Sequence, residues 1–213
     1  MSKVLFTALC FAVLSSCQSQ TPDGTVQAQA DKSVGGPCEG CEAIFEYGDK
    51  QLSDTDTLPD FLEGQPKLKI SGKVYQNDGK TPASGVIIYI YHTDREGIYP
   101  AAPEAKGWAK RHGYIRGWIK TGASGEYTFY TCRPAAYPNS NVQEHIHTTI
   151  KESGKTAYYI DDFVFDDDPN LTAKKRGLFT NRGGSGIVRP IAEGDYFLIN
   201  RDIILGLNIP GYE

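Results

Sequence analysis

Two histidines are separated by a single residue in the segment His145-Ile146-His147, and this spacing suits a metal site. On a β-strand, residues i and i+2 face the same side, so both imidazoles can reach one ion. The alternative is a pair of exposed histidines, or histidines whose hydrogen bonds are satisfied in the core. Glu144 is a poor further ligand, because on an extended strand it points to the opposite face. Additional ligands must come from elsewhere in the chain.

Two of the 13 tyrosines stand at turns and each precedes a proline: Tyr99 before Pro100, and Tyr137 before Pro138. Proline holds the preceding residue in an extended conformation. Because the ordinary pKa of a phenol is about 10, a phenolate ligates well only to a hard, strongly acidic cation. Two phenolates and two imidazoles suit ferric iron, and they suit zinc and magnesium badly.

The composition is that of an ordinary globular protein, with 213 residues of which 39% are hydrophobic and 23% charged. A formal charge of −4 argues against nucleic acid as a main partner, because phosphate binding needs a basic surface. No glycine-rich phosphate loop occurs in the sequence, so we expect no nucleotide cofactor. No apolar run reaches the length of roughly 18 residues that a transmembrane helix needs.

The first residues resemble a bacterial lipoprotein signal. Lys3 precedes an apolar stretch from Val4 to Leu14, and Leu14-Ser-Ser-Cys17 resembles a lipobox. We predict a signal peptide over 1–16, then lipidated Cys17 and a flexible tether over 17–40, and the folded domain over 41–213. This organisation implies a lipid anchor in a membrane of the bacterial cell envelope, with the domain facing the periplasm or the exterior. The alternatives are a signal peptide cut elsewhere or a buried N-terminal helix.

Cys38-Glu-Gly-Cys41 forms a C-x-x-C motif. Zinc would need two further ligands, and no second C-x-x-C exists. A thioredoxin-type function would need a surrounding βαβ pattern, which is missing. Outside the cytoplasm, a short-range structural disulfide between Cys38 and Cys41 is the better interpretation. Cys132 lies in an apolar strand and is expected to be a buried free thiol.

Short strands separated by turn signals predict an all-β chain, a β-sandwich with long loops and one short helix. Alternation of Leu68, Ile70 and Val74 with polar residues predicts a half-buried strand, and 85–91 is apolar on both faces, as in a central strand. Residues 100–113 look like a long loop, and only 168–178 looks helical. The remaining predicted strands are 114–120, 126–131, 145–151, 157–165 and 196–205.

Taken together, the motifs resemble those of the intradiol ring-cleavage dioxygenases, a family of non-haem ferric enzymes such as protocatechuate and catechol dioxygenases. The resemblance covers about residues 70–205 and depends on the order and spacing of several short motifs. These motifs are Gly72-Lys-Val74, Asp78-Gly79, Pro82, Gly85, Asp94-Arg-Glu-Gly97-Ile-Tyr99, Arg116-Gly117, Gly125-Glu-Tyr127-Thr-Phe129-Tyr-Thr131, Arg133-Pro134, Tyr137 and His145-Ile-His147.

The resemblance implies an Fe(III) cofactor and a β-sandwich fold. Tyr99 and His145 correspond to the equatorial ligands, and Tyr137 and His147 to the axial ligands. Tyr137 would also be catalytic, as the phenolate that leaves and takes one substrate proton. The substrates would be a small aromatic diol and O2, and the bond between the two hydroxylated carbons would break. The protein would thus act in the catabolism of aromatic compounds.

Two positions depart from the family pattern. The family usually has arginine three residues before the first histidine, where this chain has Val142, and glutamine about fourteen residues after the second, where it has Asp161. We therefore expect slow cleavage of plain catechol and faster cleavage of electron-rich rings. Trp108 is a candidate aromatic contact in the substrate pocket, or else a loop-packing residue.

Two alternative functions use the same strands. One is a transthyretin-like β-sandwich binding module without redox chemistry, and the other is a degenerate relative that binds iron or catecholates without cleaving them.

Overall fold

A computed structural model describes residues 30–213. The predicted signal peptide over 1–16 and the predicted lipidation site at Cys17 lie outside these residues. Within the described part of the chain, no helix is both long enough and apolar enough to cross a membrane.

Two six-stranded sheets make up the domain, which confirms the predicted β-sandwich. The first sheet has the order β1-β5-β2-β11-β10, with β12 also paired to β2; its strands are β1 (Thr55–Thr57), β2 (Lys67–Tyr75), β5 (Glu126–Cys132), β10 (Ile191–Glu193), β11 (Tyr196–Asn200) and β12 (Ile203–Ile204). The second has the order β4-β3-β6-β8-β9, with β7 also paired to β6; its strands are β3 (Ile87–Tyr91), β4 (Arg116–Lys120), β6 (His145–Lys151), β7 (Tyr158–Tyr159), β8 (Phe163–Phe165) and β9 (Ile187–Val188).

The main core lies between the two sheets. Leu68, Ile70 and Val74 of β2 are fully buried there, as their alternation predicts. From the second sheet, Ile88 and Ile90 of β3 join the same core. Burial of this face sets the register of each strand, because a shift by one residue would turn these side chains to solvent.

A second, smaller cluster covers the outer face of the second sheet. A 3-10 helix (Cys41–Phe45) places Ala43 and Ile44 against Tyr89 and Trp118. This cover explains why β3 is apolar on both faces: its even-numbered residues enter the main core, and Tyr89 packs under the 3-10 helix.

The helices differ from the prediction. Residues 100–113, predicted to be a loop, contain a helix α1 (Gly107–His112) that ends at Gly113 with φ 73°. The helix predicted over 168–178 is only α2 (Ala173–Arg176). The Asp168 side chain accepts the backbone N–H groups of Glu144 and Asn170, so the chain turns there and Thr172 caps the helix instead.

Two predicted strands are interrupted. The strand predicted over 196–205 is interrupted between Asn200 and Ile203. There the Arg201 carbonyl approaches Gly72 so closely that a Cβ on Gly72 would meet it. The strand predicted over 157–165 divides into β7 and β8. The folded domain also begins earlier than the predicted end of the tether at residue 40. Val34 is buried in the main core, and the Gly35 N–H donates to the Pro210 carbonyl.

Candidate metal centre

Strand β6 carries His145 and His147 on the outer face of the second sheet, while Ile146 between them is buried in the main core. In the antiparallel ladder His147 is opposite Tyr91 of β3. The two rings stack with centroids 4.5 Å apart. The strand alternation therefore directs both imidazoles to one side, as the sequence predicted. Glu144 does not face them, since its carboxylate binds the Arg133 guanidinium at 2.6 Å.

Tyr99 is held by the tight turn that follows β3. One carboxylate oxygen of Asp94 accepts the N–H groups of Glu96 and Ile98, at 2.9 and 3.0 Å. Gly97 has φ 77°, and a Cβ there would meet the Ala136 carbonyl. The turn therefore packs directly on the loop that carries the second tyrosine.

Tyr137 lies in the loop between β5 and β6. Two residues earlier, both backbone groups of Ala135 are hydrogen-bonded. Its N–H donates to the Asp94 carbonyl, and its carbonyl accepts the Thr93 hydroxyl. These bonds attach the loop of Tyr137 to the turn of Tyr99 and bring the two phenols together.

The four predicted ligands converge on one point. Their donor atoms form a closed ring with the following separations: Tyr99 Oη to Tyr137 Oη 2.6 Å, Tyr137 Oη to His145 Nε2 3.1 Å, His145 Nε2 to His147 Nε2 3.1 Å, and His147 Nε2 to Tyr99 Oη 3.0 Å. We call Tyr99, Tyr137, His145 and His147 the tetrad. Two ligands held at right angles about 2.1 Å from one ion lie roughly 3 Å apart, which the ring matches.

The four contacts around the ring cannot all be hydrogen bonds, because the tetrad has too few protons. His145 Nδ1 donates to the Gln143 carbonyl at 2.8 Å, and His147 Nδ1 lies 3.2 Å from a carboxylate oxygen of Asp162. With the protons on Nδ1, both Nε2 atoms present lone pairs to each other. Two phenol protons can fill only two of the four contacts. A cation at the centre would accept a lone pair from each of the four ligand atoms, so these residues fit a bound metal.

Burial also favours a metal of high charge. Burial raises the pKa of Tyr99, and its hydrogen bond with Tyr137 raises that pKa further. The pKa of Tyr137 is raised by burial and by the charge of Asp162. Burial lowers the pKa of His145, which keeps its imidazole neutral and able to ligate. Ionised phenols in this setting need strong compensation, which a trivalent ion supplies.

Tyr91 and His112 stack behind His147. The Tyr91 and His112 rings are nearly parallel, with centroids 3.7 Å apart, and the Tyr89 hydroxyl contacts His112 Nδ1 at 2.9 Å. Trp108 lies beyond them, with its ring 5.0 Å from His112. The structure packs Trp108 against the outer cluster, and its contact with a substrate stays a prediction. His112 carries no motif that could have shown its position.

The carboxylate beside the tetrad belongs to Asp162. The sequence predicted Asp161, one residue earlier, at this place. The Asp161 carboxylate instead accepts the Thr180 hydroxyl at 3.3 Å. Asp162 forms with His145 and His147 a group whose ligand atoms lie within 4.8 Å of one another. Burial alone would raise the pKa of Asp162, but contact with His147 holds that pKa below its usual value.

Val142 occupies the loop that leads into β6 and is half-buried. The cations that could replace an arginine there are mostly bound by carboxylates. Arg133 binds Glu144 and Asp167, Arg116 binds Glu46, and Arg111 binds Glu39. Lys110 and Arg189 are exposed.

The structure also joins Cys38 and Cys41 in a disulfide, next to the 3-10 helix, and leaves Cys132 as a buried free thiol.

The β-sandwich and the tetrad define an all-β protein with a candidate metal centre, and comparison with known proteins identifies its family. The family model described as dioxygenase matches residues 46–172, more than half of the chain. The chain belongs to the intradiol ring-cleavage dioxygenase family.

Individual relatives are distant. Catechol 1,2-dioxygenase 1 of Acinetobacter lwoffii is 27% identical over 144 residues, which are 67% of this chain and 44% of the relative. The chain thus spans less than half the length of this curated relative. Among solved structures, an intradiol ring-cleavage dioxygenase from Tetranychus urticae matches with a TM-score of 0.55 and 20% identity, covering 82% of this chain and 93% of that one. Catechol 1,2-dioxygenase from Pseudomonas arvilla C-1 matches with a TM-score of 0.54 and 17% identity, covering 72% and 56%. These two structures support the fold.

Proposed function

We propose that this protein is an intradiol ring-cleavage dioxygenase that binds ferric iron at the tetrad. It cleaves a catechol between its two hydroxylated carbons, and both atoms of O2 enter the product. The observation that carries this proposal is the ring of four donor atoms with two protons for four contacts. Membership of the family supports the same reaction.

Ferric iron, when bound, would stabilise the doubly ionised catechol and draw electron density from its ring, which makes the ring reactive toward O2. His145 and His147 hold fixed orientations, because the Nδ1 atom of each faces an oxygen acceptor. Tyr99 is held by the Asp94 turn. These three residues form the rigid part of the centre.

Tyr137 is the member of the tetrad best suited to accept a substrate proton at its Oη. It lies in a loop outside the strands, where its own carbonyl accepts the Ser140 N–H in a turn. A loop residue can move with less disruption than one in a ladder. Burial raises the pKa of Tyr137 in the absence of a metal. A Tyr137 phenolate that leaves the metal would therefore take up a proton and hold it firmly.

The experiment is ferric reconstitution of the purified protein, followed by visible spectroscopy and oxygen uptake with catechol. We expect a broad phenolate-to-iron absorption band and consumption of one O2 for each ring cleaved. Tyr99→Phe or Tyr137→Phe should shift or remove the band. Tyr159→Phe is the matched control, because Tyr159 is 41% exposed and outside the tetrad.

Other outcomes would separate the alternatives. A colourless protein that holds zinc after ferric treatment would contradict the proposal and favour a binding module. A coloured protein that binds catechol without oxygen uptake would favour the degenerate, non-cleaving relative.

We also propose that the protein is a lipoprotein of the bacterial cell envelope, anchored through Cys17. The basic start, the short apolar stretch and the lipobox-like Leu14-Ser-Ser-Cys17 support this. Metabolic labelling with a fatty-acid analogue should mark the wild type and not Cys17→Ser. Undiminished labelling of the variant would contradict the proposal.

A further inference from the structure

The nearest ionised side chain to the tetrad is acidic. The Asp162 carboxylate contacts His147 Nδ1 with one oxygen, and its other oxygen has no hydrogen-bond partner among residues 30–213. The Asp162 side chain is 32% exposed and that of His147 is 26% exposed, so both are accessible to solvent. The charge of Asp162 acts on Tyr91, Tyr99 and Tyr137, and raises the pKa of each.

The basic side chains around this charge are engaged by other groups. The charge of Arg201 lowers the pKa of Asp162, but the Arg201 guanidinium donates to the backbone carbonyls of Asp161, Arg182 and Gly184. Arg133, the basic residue nearest in sequence, is shared between Glu144 and Asp167 and packs over the Phe165 ring. Lys175 reaches the loop of Val142, but its ammonium donates to the backbone carbonyls of Asn141 and Asn170. Val142 itself is apolar.

We propose that Asp162 and Val142 together make this centre select catechols whose ring substituent is uncharged or cationic, and discriminate against carboxylated catechols. The inference rests on the proposed function, since it names the substrate class of the same site. A carboxylate on the substrate would be repelled by the like charge of Asp162, and the basic side chains around that charge are engaged by other groups. An ammonium group would instead be attracted by the Asp162 carboxylate.

The test is anaerobic titration of the iron-loaded protein with three catechols of similar size and different charge: protocatechuate, its primary amide, and an aminomethyl catechol. The dissociation constant of each is read from the change in the visible band, so no turnover is needed. Opposite and like unit charges a few ångströms from one carboxylate differ enough to separate the affinities by at least roughly tenfold. We expect the aminomethyl compound to bind most tightly, then the amide, then the acid.

Two substitutions assign the effect to residues. Val142→Arg should tighten protocatechuate relative to the amide by about tenfold, while Val142→Met, a long uncharged control, should leave the order unchanged. Asp162→Asn should remove the preference of the aminomethyl compound over the amide. Within each variant the neutral amide is the reference, so a general loss of iron affinity does not affect the ratio.

Salt supplies a second measurement. If charge sets the order, the ratio of affinities should shrink as the ionic strength rises, whereas a difference in fit would persist.

The possible results separate the two proposals. If protocatechuate binds as tightly as the aminomethyl compound in the wild type, the inference is overturned and the proposed function stands. The inference is likewise overturned, and the proposed function stands, if the order of the three affinities changes neither with salt nor with the substitutions. If the neutral amide and plain catechol fail to change the band, the proposed function fails, and this inference falls with it.

Discussion

At the residue scale, His147 is held on three sides. Its Nδ1 lies 3.2 Å from the Asp162 carboxylate, its face stacks on Tyr91, and its Nε2 lies 3.0 Å from the Tyr99 hydroxyl. A carboxylate behind a ligating imidazole fixes the ring orientation and makes the ligand more basic. We therefore propose that Asp162 positions His147 for a metal bound at the tetrad.

We expect Asp162→Asn to weaken ferric iron binding roughly 10- to 100-fold. The amide can still accept a hydrogen bond from Nδ1, but the negative charge behind the ring is lost. Competition against a calibrated chelator measures the affinity. Asp161→Asn is the control, because Asp161 contacts Thr180 instead of the tetrad, and it should change the affinity little. Equal losses in the two variants would contradict this role for Asp162.

At the element scale, the tetrad depends on two loops that interlock. The turn of Tyr99 and the loop of Tyr137 share the Asp94 carbonyl, which accepts the N–H groups of Gly97 and Ala135. Gly97 allows the close approach, since it has a positive φ and its hydrogen faces the Ala136 carbonyl. The separation of the two phenols is therefore a property of this loop contact and not of the strands.

Gly97→Ala should lower the free energy of unfolding by about 1–3 kcal/mol, because the new Cβ meets the Ala136 backbone and the left-handed conformation is strained. It should also weaken the visible band of the iron-loaded protein by separating the phenols. Urea unfolding and spectroscopy measure the two effects. Gly122→Ala is the matched control, since a Cβ there meets nothing within 4 Å. A band of unchanged position and intensity would show that the loop contact does not set the tetrad.

At the scale of the whole molecule, a buried histidine links the two sheets. His92 follows β3 of the second sheet, and its Nε2 contacts the Thr131 hydroxyl of β5 in the first sheet at 2.7 Å. It is 1% exposed, and burial lowers its pKa to about 4. Burial likewise lowers the pKa of His112 to about 4. Both imidazoles are therefore neutral in the folded protein at neutral pH.

These pKa values predict acid sensitivity. In the unfolded chain a histidine titrates near its ordinary pKa of 6.5, so below that pH the unfolded state binds more protons than the folded state. For the metal-free protein we expect the free energy of unfolding to fall between about pH 6.5 and pH 4, by up to roughly 3 kcal/mol for His92. Urea titrations across this range measure the fall.

The variant His92→Asn isolates the contribution of one histidine. Its stability at neutral pH should be lower, because it loses a buried bridge between the sheets, but its stability should depend less on pH. If wild type and variant lost the same free energy between neutral and acidic pH, His92 would not be the titrating group.

The sequence by itself determined the central strands and singled out the four tetrad residues. The alternation of Leu68, Ile70 and Val74 predicts β2, and the apolar faces of 85–91 predict β3, because strand periodicity is a local property. The i, i+2 spacing of His145 and His147 fixes their common face for the same reason. Tyr99 and Tyr137 were distinguishable from the other tyrosines by their turns and by the resemblance to a known family.

Only the tertiary structure decided what surrounds those four side chains. Choosing between Asp161 and Asp162 depends on a shift of one residue, which turns a side chain to the opposite face, and β7 and β8 are separated at this point. Trp108 and His112 belong to a six-residue helix that the local composition does not signal, because it packs on a 3-10 helix more than 60 residues earlier in the chain. The charges near the tetrad likewise depend on ion pairs between distant segments, such as Arg133 with Asp167, and no local pattern encodes such contacts.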